Sequence, residues 1–127
     1  MKKLLLTCLA ATGIAAASFA QVKAVQTARI KTPNILCEEC KKRVTTYLDR
    51  YDGVQSVQIN TRKGETTVKF VTDRINIEEV KTAIANAGFD ADDIPANEDA
   101  YKRLPKTCKK FEDGGGHPKP KEQPAQE

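Results

Sequence analysis

Thr27-Ala28-Arg29-Ile30-Lys31-Thr32-Pro33-Asn34-Ile35-Leu36-Cys37-Glu38-Glu39-Cys40 is the stretch on which the fold turns. Its first six residues alternate, with Ala28 and Ile30 on one face and Arg29 and Lys31 on the other. That pattern predicts a strand with one dry face. Pro33-Asn34 breaks the strand, and residues 35–40 form a loop that runs into a helix. Cys40, Val44, Tyr47, Leu48 and Tyr51 then recur at spacings of three and four, which predicts a helix to about Tyr51 with an apolar stripe. Tyr47 and Tyr51 read as packing residues on that stripe. Asp52-Gly53 is placed to stop it.

Working downstream, Val54, Val57 and Ile59 begin a second strand and Thr61-Arg62-Lys63-Gly64 is a turn. Thr66, Val68 and Phe70 form the inward face of the returning strand, completing a β-hairpin. Asn76 and Glu79 have the spacing of a capping box for a second helix. That helix carries Ile77, Val80, Ile84 and Ala87 on one side and ends at Gly88. Phe89 to Ile94 is expected to be a short edge strand, weakened by Asp90, Asp92 and Asp93. The order β-α-β-β-α-β over residues 27–95 predicts an α+β, ferredoxin-like sandwich: an antiparallel sheet with two helices on one face. Ile30, Val44, Leu48, Val57, Ile59, Val68, Phe70, Val80 and Ile84 are its expected core. Beyond it, Asn97 caps a short helix through Leu104, Glu98 and Asp99 suit its positive end, and Pro105 closes it. Residues 96–111 are thus a C-terminal helical extension. Residues 112–127 are Gly, Pro, Lys, Glu and Gln with hardly an apolar side chain, and are expected to be a disordered tail.

Upstream, residues 1–20 read as a secretory signal peptide: Lys2-Lys3, an apolar run from Leu4 to Ala17, then Ser18-Phe19-Ala20 before a cleavage point at Gln21. The apolar run is shorter than the ~20 residues that a spanning helix needs. The expected location is therefore periplasmic or secreted. Cys8 leaves with the leader, and the remaining 107 residues hold Cys37, Cys40 and Cys108. An odd count means at least one thiol outside any intramolecular disulfide. With Lys2 and Lys3 removed, 19 basic residues face 17 acidic ones. This balance is too even for a nucleic-acid partner. The absence of Trp and only 6% aromatic residues argue likewise against a stacking platform for single strands.

Cys37 and Cys40, two residues apart where a loop enters a helix, can converge on one ion. The first helical amides and the helix dipole suit negatively charged sulfur there. Soft thiolates select soft or borderline ions such as Cu(I) and Zn(II) over Mg(II) or Ca(II). A structural zinc site wants four ligands, whereas one pair suits an ion content with two. Two other uses of the pair stand beside metal binding. One is thiol–disulfide exchange, and the other is a small disulfide loop in a module that serves protein contacts alone. No residue set supplies a nucleophile with a general base in a pocket, so an enzyme is not expected.

The run Pro33 to Cys40, followed by Val44, Leu48, Gly53-Val54, Val57 and Ile59, then Thr66 to Phe70, Ala83-Ile84 and Gly88-Phe89-Asp90-Ala91, resembles the heavy-metal-associated domain. That family includes periplasmic mercury-binding proteins, copper chaperones and modules of metal-pumping P-type ATPases. The resemblance places Cys37 and Cys40 on the family's two metal ligands. It places Phe89 on the aromatic position beneath the metal loop, and Ile35 where a buried Met usually supports that loop. It implies a carrier that passes a thiophilic ion to a membrane transporter, such as a P-type ATPase or a metal permease, by stepwise thiolate exchange. Cu(I) or Hg(II) is the implied cargo, Zn(II) or Cd(II) the alternative, and the chain is expected to be a monomer, or a dimer bridged by metal.

Three departures from the family pattern carry expectations of their own. Asn34 stands where Gly is usual and can still adopt the left-handed backbone that Gly allows. Glu38 and Glu39 bring carboxylates to the loop, where a hard oxygen would favour Zn(II) or Cd(II). Cys108 lies outside the domain, either as a third metal ligand or as a free or intermolecularly paired thiol. His117, the only histidine, is a remote further candidate. Lys41-Lys42-Arg43 and Lys109-Lys110 read as solvated faces able to guide docking to an acidic partner.

Overall fold

The computed structural model describes residues 24–116. The expected leader over residues 1–20 and His117 lie outside the described residues. Within them no helix is long and apolar enough to cross a membrane.

Strand β1 spans Val25–Lys31, two residues earlier than the alternation alone implies. Helix α1 runs Glu38–Leu48, β2 Val54–Asn60, β3 Glu65–Val71, α2 Ile77–Asn86 and α3 Glu98–Lys102. The sheet is antiparallel in the order β1-β3-β2, so the second arm of the hairpin is the central strand. Ala28 faces Val68 and Ile30 faces Thr66 on one side of β3, and Val57 faces Val68 on the other.

Both helices lie on one face of the sheet, and Ile30, Val44, Leu48, Val68, Phe70, Val80 and Ile84 are fully buried between the layers. Val57 and Ile59 are only half-buried, because β2 is an edge strand with no neighbouring strand on its outer side among the described residues. Tyr47 and Tyr51 are likewise half-buried against the core, with ring centroids 6.0 Å apart.

Helix α1 stops at Leu48 rather than Tyr51. Arg50 N donates to Tyr47 O and Tyr51 N to Leu48 O, so the last turn tightens to three-residue spacing. Gly53 then takes φ +102°, and a Cβ there would sit 2.8 Å from Arg74 Cβ. The capping box of α2 is formed in both directions, Asn76 Oδ1 accepting from Glu79 N and Glu79 Oε2 accepting from Asn76 N.

The sixth element does not join the sheet as a strand. Residues 89–94 make only a local bridge, Ala91 with Ile94. The aspartates explain it. Asp92 adopts φ +52° and clasps the end of β1, its carboxylate accepting from Lys31 N at 2.7 Å and its own N–H donating to Lys31 O at 2.9 Å. Lys81 on α2 holds Asp92 and Asp93 by ion pairs. Backbone partners that a strand would have needed are thus taken by a capped turn. Past it, α3 leads into 3-10 turns at Lys106–Cys108 and Phe111–Asp113. Hydrogen bonding reaches Gly116, whose N–H donates to Lys106 O. The first residues expected in the tail, 112–116, are therefore fixed to the extension.

Candidate metal site

The loop between β1 and α1 is held from below and behind. Thr32 and Thr66 share a buried hydroxyl–hydroxyl bond of 2.7 Å, and Ile35 N donates back to Thr32 O across the turn. Ile35 and Phe89 are fully buried under the loop, in the same cluster as Cys40. Asn34 does not take the left-handed backbone: Asp92 is the only non-glycine residue at positive φ among the described residues. Its side chain acts instead, Oδ1 accepting from Asp90 N at 3.0 Å and so tying the loop to the segment after α2.

Cys37 is the N-cap of α1. Its backbone is extended, and its Sγ accepts from Cys40 N at 3.4 Å. Cys40, in the first turn, is completely buried while Cys37 is partly open to solvent. Placing one sulfur at the cap and the next in the first turn brings them together over the helix amides, with Sγ atoms 2.6 Å apart. Neither glutamate between them turns toward the sulfurs. Glu38 pairs with Lys41 at 3.0 Å, and Glu39 accepts from the Thr107 hydroxyl at 2.9 Å. The expected oxygen ligands are occupied elsewhere because each has a closer partner on the surface.

The third sulfur comes from 68 residues away. Cys108 is almost fully buried, and the Sγ atoms of Cys37, Cys40 and Cys108 all lie within 4.8 Å of one another. Cys40 and Cys108 are joined as a disulfide with Cα atoms 5.6 Å apart, leaving Cys37 as the free thiol. Cys40 therefore has two cysteines, Cys37 and Cys108, within pairing distance of its sulfur. The Thr107 carbonyl oxygen stands 3.7 Å from Cys40 Sγ and 3.9 Å from Cys37 Sγ.

A set of contacts fixes the segment that carries Cys108. Leu104 is buried against Gly88, which takes φ +102°. Asn97 N donates to Ala85 O at 2.8 Å, holding the entry to α3 against α2. The Tyr101 hydroxyl accepts from Lys110 N at 2.8 Å and donates to Asp113. Lys110 Nζ sits 3.0 Å from Asp90, whose other carboxylate oxygen accepts from Ala96 N. Burial raises the Tyr101 pKa, helped by its bond to Asp113. The hydrogen bond to Asp90 raises that of Lys110. Asp90 thus joins the metal loop, through Asn34, to the Cys108 segment, through Lys110.

A family profile described as the heavy-metal-associated domain matches residues 29–90. The copper chaperone CopZ of Bacillus subtilis (strain 168) is 30% identical over 61 residues, which are 48% of this chain and 88% of that protein. The chain belongs to the heavy-metal-associated domain family. CopZ of Staphylococcus saprophyticus is 31% identical over 64 residues, 50% of this chain and 94% of the relative. Among solved structures, oxidised MerP from Ralstonia metallidurans CH34 superposes with a TM-score of 0.51 at 24% identity, covering 54% of this chain and 94% of its own. A CopZ metallochaperone gives 0.50 at 26% identity, covering 52% and 98%. The ferredoxin-like fold is therefore shared. This heavy-metal-associated domain ends, by its family match, at Asp90, so Cys108 and its anchoring segment are an addition to it.

Sequence reading did not find the Asn34–Asp90–Lys110–Tyr101 chain. Its successive links span 56, 20 and 9 residues, and no periodicity marks them. The Thr107 carbonyl is a backbone group and leaves no trace in side-chain pattern.

Proposed function

We propose that this protein is an exported metallochaperone: it binds one thiophilic ion through Cys37 and Cys40 and passes it to a metal-transporting membrane protein, such as a P-type ATPase or a permease. The observation that carries the proposal is the pair of sulfurs brought together at the cap and first turn of α1, one buried and one reachable from solvent. The kinship with copper chaperones supports metal handling as the use of the pair. Cu(I) and Hg(II) are content with the two thiolates of Cys37 and Cys40, whereas Zn(II) or Cd(II) want further ligands, which Glu38 and Glu39 do not offer.

Transfer follows from the difference between the two sulfurs. An incoming thiolate reaches the ion from the open side at Cys37 and adds as a further ligand. Cys37 then leaves, and the buried Cys40 leaves last, so no bare ion is released. Neither step needs a general acid or base beyond solvent, in keeping with a non-enzymatic role. The test is a handover assay with reduced, loaded protein and a soluble domain bearing a reactive dithiol. A carrier delivers the ion to the dithiol faster than a chelator can capture it. Delivery only at the rate of spontaneous ion release would exclude exchange-based transfer.

A second reading has its own observation. The Cys40–Cys108 disulfide with Cys37 alongside is the arrangement of an exchange centre, in which the Cys37 thiolate attacks one sulfur and frees the other. Turnover of an external disulfide by metal-free protein would favour that reading over the carrier.

A further inference from the structure

The strap from Asn97 to Gly116 carries a buried cysteine, Cys108, to the metal loop, and nothing in the family match accounts for it. Deepening the carrier reading, on which it rests, we infer that Cys108 is a third thiolate ligand carried on this built-in strap. The completed site takes a thiophilic ion that accepts three sulfurs and carries a charge of two or more, in preference to monovalent Cu(I).

The geometry supplies the first half. The three Sγ atoms form one cluster within 4.8 Å, and two of them are close enough to be bonded to each other. Sulfurs within bonding reach need only small rotations about their Cα–Cβ bonds to share an ion once the disulfide is reduced. That reduction consumes two electrons and two protons from a thiol reductant, which is oxidised to its own disulfide, and it yields the Cys40 and Cys108 thiols. The strap is held independently of the sulfur by Leu104 on Gly88, the Asn97–Ala85 bond, the Tyr101–Lys110 bond and the Lys110–Asp90 pair. Breaking the disulfide therefore leaves Cys108 in place. Glu39, bonded to Thr107 one residue earlier, fixes the strap directly over the start of α1.

Charge supplies the second half. Three thiolates bring three negative charges to a site in which Cys40 and Cys108 are buried. A monovalent ion leaves a net charge of −2 there, and an uncompensated buried charge is costly. A divalent ion leaves −1, which the N-terminus of α1, worth about half a positive charge, partly offsets. A trivalent ion leaves none. Among the described residues no carboxylate joins the sulfur cluster to add further negative charge, since Glu38 and Glu39 are turned to Lys41 and Thr107.

The experiment uses the full-length chain, reduced and kept anaerobic, with Cd(II) and Cu(I) as probes. X-ray absorption of the Cd(II)-loaded wild-type protein should count three sulfurs, a reading that needs no variant. Cys108→Ser and Cys108→Ala should both lower the count to two and weaken Cd(II) binding by roughly 10- to 100-fold. Cu(I) affinity should change by less than about threefold, the two-coordinate site remaining intact. Two sulfurs in the wild-type protein, or a Cd(II) affinity that falls no further than that for Cu(I), overturns the inference while leaving a Cys37–Cys40 carrier standing. Failure of the reduced wild-type protein to bind either ion overturns both.

Discussion

Gly88→Ala joins the backbone, the strap and the sulfur cluster in one perturbation. Gly88 sits at φ +102°, a conformation that costs an L-residue about 1–2 kcal/mol. A Cβ at that position would lie 3.1–3.2 Å from three side-chain carbons of Leu104, which is buried and cannot turn outward without losing its contacts. Overpacking of this kind adds about 1–3 kcal/mol. The expected total is about 2–5 kcal/mol, a large part of the margin of a small domain.

Urea unfolding of four proteins separates the two contributions: wild type, Gly88→Ala, Leu104→Ala and the double variant. Leu104→Ala alone should cost about 2–3 kcal/mol, toward the low end for a buried leucine, because the strap can settle toward the vacancy. With Leu104 gone, Gly88→Ala should cost only its backbone share of about 1–2 kcal/mol. The cycle should therefore show a coupling of about 1–3 kcal/mol, the overpacking share. Additive costs, or a Gly88→Ala effect below about 0.5 kcal/mol, would refute the claim that the strap is seated on Gly88.

Other predictions concern the ligands, the strap and the fold. Cys37→Ser or Cys40→Ser should abolish one-to-one binding of Cu(I) in competition with a chelator. Reduction of the Cys40–Cys108 disulfide should lower stability by up to about 4 kcal/mol, the loop-closure entropy for a separation of 68 residues, measured by denaturant unfolding with and without reductant. Tyr101→Phe removes the bond to Asp113 and the acceptor of Lys110 N, and should cost about 1–3 kcal/mol. Tyr101 and Lys110 both have pKa values raised in the folded chain, so the strap's stabilisation should be intact below pH 10 and fall as pH rises beyond the ordinary values of 10.0 and 10.5. A wild-type advantage over Tyr101→Phe that is unchanged across that range would contradict the assignment. Chelation of metal from the reduced protein should leave the circular dichroism unchanged, because the core is apolar side chains packed on one another, with Cys40 and Cys108 the buried ligands among them.

The parts legible in the sequence are those with a period. Ala28 and Ile30 announce β1, the three–four spacing of Cys40, Val44 and Leu48 announces α1, and Asn76 with Glu79 announces α2. Cys37 and Cys40 are only three positions apart in sequence, so their convergence needs only a helix N-terminus. What escaped is long-range or polar. The edge position of β2, which leaves Val57 and Ile59 half-exposed, depends on which neighbour β3 takes on each side. The aspartates after Phe89 do more than weaken a strand: Asp92 caps β1 and Asp90 anchors both the loop and the strap. The sequence leaves Cys108 as either a third ligand or a spare thiol, because nothing in it tells where the thiol points. The direction is set by Leu104 on Gly88 and by the Tyr101 and Lys110 contacts, pairs that share no local pattern.

The central claim, that these thiols exist to hold a soft ion, is met most directly by anaerobic titration of the fully reduced protein with Hg(II), followed by counting the thiols still open to an alkylating reagent. The account predicts one ion per chain and no reactive thiol among Cys37, Cys40 and Cys108 once it is bound. Thiols that remain fully reactive in the presence of the ion would contradict it.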